Sequence, residues 1–121
     1  MEILGKILVG LVAIEHLYIL YIEMFAWETL GKETFKGSLA PEMFKPTKKL
    51  AANQGLYNGF LSAGLIWTFF IQDPQWSFYI AVFFLTCVIV AGIYGAMTAA
   101  KKIFFVQALP AIIALVVLHL R

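Results

Sequence analysis

Four stretches of this chain are apolar over the roughly 20 residues that a helix needs to cross a bilayer core of about 30 Å. They are Ile3 to Ala26, Leu50 to Ile71, Trp76 to Thr98 and Ile103 to Leu120. In lipid every backbone N–H and C=O must be satisfied within the protein, which restricts spanning segments to helices or a closed barrel. Barrel strands alternate in polarity and run to about ten residues, whereas these runs are longer and continuously apolar. The expected fold is therefore all-α, a four-transmembrane-helix bundle. It forms a single integral membrane domain, residues 1–121, with spans at about 3–26, 50–71, 76–98 and 103–120 and a cytoplasmic loop at 27–49. Composition agrees: 62% of the 121 residues are apolar and 13% charged, and mean hydropathy is +0.87, far from the balance of a soluble domain. The first run has only Lys6 as a basic flank, lacks a small-residue cleavage pattern and holds acids in its second half. It reads as a retained span rather than a cleaved signal.

Lysine placement sets the expected orientation. The first connection holds Lys32, Lys36, Lys45, Lys48 and Lys49 and the third adds Lys101 and Lys102, seven of the nine basic residues. The opposite side has Lys6 and Arg121, and the second connection offers Asp73 and no base. By the positive-inside rule the first and third connections are cytoplasmic, and the N-terminus and C-terminus are extracytoplasmic, in a multi-pass protein of the plasma membrane. Trp27, Trp67 and Trp76 fall near span ends, where indole rings favour the headgroup region. In the first connection Pro41 and Pro46 suit early positions of helical turns. Phe35, Met43 and Phe44 among lysines suggest a segment lying on the lipid surface; its length also admits a lid over a cytoplasmic opening.

The second run separates two roles. Ala51, Gly55, Gly59 and Ala63 recur every four residues, a small-residue ladder that lets another helix approach closely. At about 100° per residue, Asn53, Gln54 and Tyr57 fall largely on the other side, with Asn58 at the border. Ala91, Gly95 and Ala99 repeat the spacing in the third run, so the second and third helices are expected to pair.

Glu15, His16 and Glu23 interrupt the first run. Charged groups at the centre of a membrane helix cost about 2.5–3.5 kcal/mol each on the mildest scale and usually face the bundle interior. The three share an arc of roughly 100°, so one interior face can receive them all. Glu15 and His16 lie near mid-bilayer, and Glu23 about 12 Å nearer the cytoplasm. Asn53, Gln54 and Asn58, Tyr94 with Thr98, and Gln107 belong to the same half of the bundle, which points to a polar cavity open to the cytoplasm and floored by Glu15 and His16. Either a charged pair or a protonated acid beside a neutral imidazole fits that floor. Asn58 and Gln107 read equally well as ties between helices, and Tyr18, Tyr21, Tyr57 and Tyr94 as packing or interface residues. Pro110 is expected to kink the fourth helix and free a carbonyl near Val106.

There is no metal-ligand spacing, Gly-rich phosphate loop or basic nucleic-acid patch, so no metal, cofactor or nucleic acid is expected. Cys87 reads as a small apolar filler. The segments "IEHLYILYIEMF", "NQGLYNGFLSAGL" and "QALPAIIAL" resemble the small four-span membrane proteins grouped as domain of unknown function 1304, over essentially the whole chain. That resemblance implies an integral membrane bundle and supplies no reaction. The residues themselves point first to binding or transport of a small, partly apolar molecule, with Glu15 or Glu23 as a proton- or cation-exchanging carboxylate. Four spans enclose little interior, so transport would call for a homo-oligomer. The alternatives are a membrane-embedded enzyme with Glu15 and His16 as acid and base, or an accessory subunit of a membrane complex. The expected partners are the lipid bilayer and a small amphiphilic ligand.

Overall fold

Apolar side chains fill the long helices from end to end, and local chemistry sets where each helix stops. The computed structural model describes residues 2–120, so Arg121 lies outside the described residues. Helix α1 spans Ile3–Phe25, α2 Leu30–Thr34, α3 Lys48–Trp67, α4 Pro74–Thr98 and α5 Leu109–His119. Pro41–Met43 and Thr68–Phe70 form 3-10 turns, and Phe104–Ala108 winds as a π-helix into α5. Among the described residues, extended pairing is limited to an isolated bridge between Lys36 and Leu39. The fold is all-α.

Helix α4 starts sharply because the Asp73 carboxylate accepts the Gln75 N–H at 2.9 Å and the Trp76 N–H at 3.3 Å. Pro74 occupies its first turn, where no N–H is needed. The second run, expected to reach Ile71, is α-helical only to Trp67; beyond it the Thr68 hydroxyl donates to the Leu65 carbonyl at 2.6 Å. The fourth run departs further. The Leu109 N–H reaches back to the Phe104 carbonyl, giving the wider π winding, and Pro110 falls in the first turn of α5, where its missing N–H costs little.

Where the sequence reads as one domain, packing divides the chain into two units: Glu15–Phe60, and the chain that flanks it up to Ile14 and from Leu61 onward. The flanking unit has a core of Val9, Val12 and Ala13 from α1, Leu65 from α3, Ala81, Leu85 and Val88 from α4, and Ala111, Ala114 and Leu118 from α5. Ala81, Leu85, Val88 and Gly92 are all buried and spaced by four, three and four residues, a single helical stripe. Small residues along it bring backbones together. A Cβ at Gly92 would lie 2.7 Å from the backbone nitrogen of Ala108 and 2.8 Å from its Cβ. Buried hydroxyls bond to carbonyls, Ser62 Oγ to Ala13 at 2.7 Å and Ser77 Oγ to Thr68 at 2.8 Å.

In the other unit the second half of α1 packs on the first half of α3. A Cβ at Gly55 would lie 2.7 Å from Met24 Cγ and 3.0 Å from Glu23 Cβ, and one at Gly59 would lie 2.6 Å from Leu20 Cδ1. The ladder of the second run thus seats α1, a correction to the pairing expected from its repeat in the third run; Gly95 there faces Ile103. The chain between α1 and α3 is fastened by the Trp27 ring, 4.9 Å from Phe44 and 5.5 Å from Phe35, and by its N–H, which donates to Thr47 Oγ1 at 3.0 Å.

The remaining faces of α1 and α4 are apolar and open. Ile3, Leu11, Ile14 and Phe25 on α1, and Phe83, Val90, Tyr94 and Met97 on α4, are exposed. Both helices are long and apolar enough to cross a membrane, and only 28% of the apolar stretch of α1 and 22% of that of α4 is buried.

Gly92→Ala should lower the thermal stability of the detergent-solubilised protein by about 1–3 kcal/mol, because the added methyl meets backbone that cannot step aside. Gly59→Ala should cost less, since the atom it meets ends the flexible Leu20 side chain. An unchanged melting temperature for Gly92→Ala would refute close packing of that stripe.

Candidate functional site

Seven residues, two helical turns, separate His16 from Glu23 and place them on one side of α1. Both are buried, at 0% and 3% exposure. Glu15, about 100° round the helix from His16, is partly exposed, yet its Oε1 is buried with no hydrogen-bond partner among the described residues. That oxygen is 3.9 Å from His16 Nδ1. The distance suits an ion pair if the imidazole is protonated and is too long for a hydrogen bond.

Glu23 is bound more firmly. Asn58 Nδ2 donates to its Oε1 at 2.7 Å and Gln54 Nε2 to its Oε2 at 3.1 Å. Gln54 and Asn58 are four residues apart, so both side chains leave α3 on one face. Gly55, about 100° from Gln54, lets the backbones close until the Glu23 side chain lies beneath both amides. Among the described residues no cationic side chain pairs with Glu23; both donors are neutral. Each carboxylate oxygen has two acceptor sites, so one on each remains for a proton or an incoming cation. Asn58 is buried and Gln54 exposed, which makes Gln54 the outer edge of the cluster.

The other residues singled out from the sequence are placed differently. Asn53 and Tyr57 are exposed on α3, with Tyr57 stacked on Phe60 at 5.9 Å. Tyr94 is exposed and Gln107 partly buried, both in the flanking unit. A cavity of about 520 Å³ in that unit is bordered by Glu2, Phe78 and Tyr79, and one of about 200 Å³ lies beside α2. Neither is lined by Glu15, His16 or Glu23. Among the described residues no group of three His, Cys, Asp or Glu side chains is arranged to hold a metal ion. The sequence reading missed the part played by Gly55: it assigned the glycine to packing and the amides to a separate face, whereas both meet the same stretch of α1. The signal lay in the positions of residues 54, 55 and 58, which share an arc of about 100°.

Comparison with known proteins gives a family and no activity. The model of the family described as "Protein of unknown function (DUF1304)" matches residues 10–119, and the chain belongs to that family. An uncharacterised protein, YpaA, of Lactococcus lactis subsp. lactis (strain IL1403), is 37% identical over 96% of this chain and 97% of its own length. No solved structure matches the chain.

Removing one amide should leave a buried carboxylate oxygen unsatisfied, so Asn58→Ala should destabilise the protein by about 1–3 kcal/mol. In a double-mutant cycle with Glu23→Ala, thermal unfolding should return a coupling of about 0.5–3 kcal/mol. Strict additivity would mean that Asn58 and Glu23 do not interact.

Proposed function

We propose that this member of the DUF1304 family is a multi-pass protein of the plasma membrane that binds or carries a small, partly apolar molecule at Glu23. What supports the membrane reading is the exposure of large apolar side chains along α1 and α4. The core helix of a soluble protein would bury most of that surface, and exposed apolar area on this scale marks a lipid or partner contact. On this reading α3 and the helical stretch from Phe104 to His119 complete four spans. The lower hydropathy of α3 reflects the polar groups it turns toward Glu23. Lysines in the first and third connections put those segments in the cytoplasm.

The observation that carries the binding reading is the pair of neutral amide bonds on Glu23. A helix that needed only a tie to its neighbour would be served by Gln at position 23. A carboxylate at this depth is costly and is a functional candidate by default. Here it is held in place without being neutralised by a cation, so its charge is available to a ligand ammonium group or a proton. Gln54 is the entrance, with the exposed Asn53 and Tyr57 as its rim, and Glu15 with His16 lies about 12 Å deeper along α1.

Wild-type protein purified in a neutral detergent should carry a small molecule that organic extraction and mass spectrometry detect. Glu23→Gln, folded to the same melting temperature within a few degrees, should yield it at markedly lower occupancy. Equal yields from both proteins would remove Glu23 from the site.

Topology is checked separately. Reporters fused after the last residue should be active on the extracytoplasmic side, and reporters inserted at Gly37 on the cytoplasmic side. The reverse pattern would invert the site's opening, and loss of the protein from membrane fractions on alkaline washing would defeat the spanning reading altogether.

A further inference from the structure

The chain between α1 and α3 folds around a cavity of its own. It measures about 200 Å³ and has an apolar wall of Leu39, Ala40, Pro41 and Phe44. The wall is anchored, since Phe44 is 1% exposed and packed on the Trp27 ring, which Thr47 holds through the indole N–H. Opposite stand Lys32 and Lys36, one turn apart at the end of α2. Gly37 turns the chain at φ +87°, the left-handed region that suits glycine, and lets Lys36 bridge to Leu39. A Cβ there would meet nothing within 4 Å, so the turn rather than crowding selects the glycine.

Both lysines are exposed, and among the described residues neither forms an ion pair with a carboxylate. The acid nearest in the fold to a lysine, Glu28, is 3.5 Å from Lys48. Glu33 and Glu42 are neighbours in sequence and do not line the cavity. Two ammonium groups facing an apolar wall match a molecule that is anionic at one end and hydrocarbon at the other.

We propose that this cavity binds the phosphate of an anionic phospholipid, with Lys32 and Lys36 on the phosphate oxygens and Leu39, Pro41 and Phe44 against the glycerol and first acyl carbons. The site rests on the reading that α1 and α3 lie in the bilayer, which sets the connecting chain at headgroup level. It is independent of Glu23. A free phosphate gains nothing from the apolar wall, and a choline headgroup adds a cation that the lysines repel.

The test is native mass spectrometry of the full chain in neutral detergent, titrated with phosphatidylglycerol and, separately, phosphatidylcholine. Wild type should retain phosphatidylglycerol in preference. Lys32→Gln with Lys36→Gln should weaken that retention by about 30-fold, the factor expected for two basic residues at an anionic surface, while Lys45→Gln with Lys49→Gln, which removes the same charge outside the cavity, should change it by less than about threefold. Equal losses in the two pairs would replace the site with diffuse attraction. Equal retention of the two lipids, or displacement of phosphatidylglycerol by millimolar inorganic phosphate, would also overturn it. Because retention is read in detergent and by cavity residues alone, a null result for Glu23→Gln leaves this site standing, and loss of this site leaves the Glu23 reading untouched.

Discussion

Close approach of α1 and α3 at Gly55 is the condition on which the polar centre of this protein depends. A side chain at that position would meet Glu23 and Met24 before the helices came into register. With hydrogen there instead, the carboxylate reaches Gln54 and Asn58 together, and two amide bonds replace the water it would otherwise demand. The packing and the polar contacts are therefore one feature. Neither forms without the other, because amides held a few ångströms farther off would bond to nothing in an apolar setting.

The same device recurs in the flanking unit with no charge in it. Gly92 against Ala108, and Gly5 against Leu118, are places where a missing Cβ lets an element seat closely. Without a hydrophobic driving force between helices in lipid, dispersion and short polar ties must supply cohesion. Ser62 and Ser77 add such ties, each handing its hydroxyl to a carbonyl on another element. The large residues point outward and the small ones inward, the reverse of the size gradient in a soluble domain's core.

Much of this was legible in the chain. Long apolar runs point to helices because nothing else satisfies so many backbone groups without water, and all-α architecture and family both follow from residues that can be read off directly. The polar residues near α1 and α3 were also visible as a set. What could not be read was which of them meet. Asn53 and Gln54 are adjacent and equally polar, yet only Gln54 reaches Glu23, because a rotation of about 100° decides it. Partner choice was hidden for the same reason: small-xxx-small spacing says that a helix is approached, not by which neighbour. The π winding was hidden too, since Pro110 explains a disturbance in the ladder but not whether the chain answers by bending or by widening.

That widened turn has a consequence for how the family's chains can change length. A π segment contains one residue more than the α-turn it replaces, so Phe104–Ala108 holds a spare residue in its winding. Deleting one residue there would restore regular α geometry locally, yet it would also rotate everything after it by about 100° relative to α4. Ala108 would leave Gly92, and the stripe of Ala111, Ala114 and Leu118 would turn from the core toward the outside. The segment acts as a phase adjuster between the third connection and α5, and its residue count is as strongly constrained as the identity of any side chain it carries.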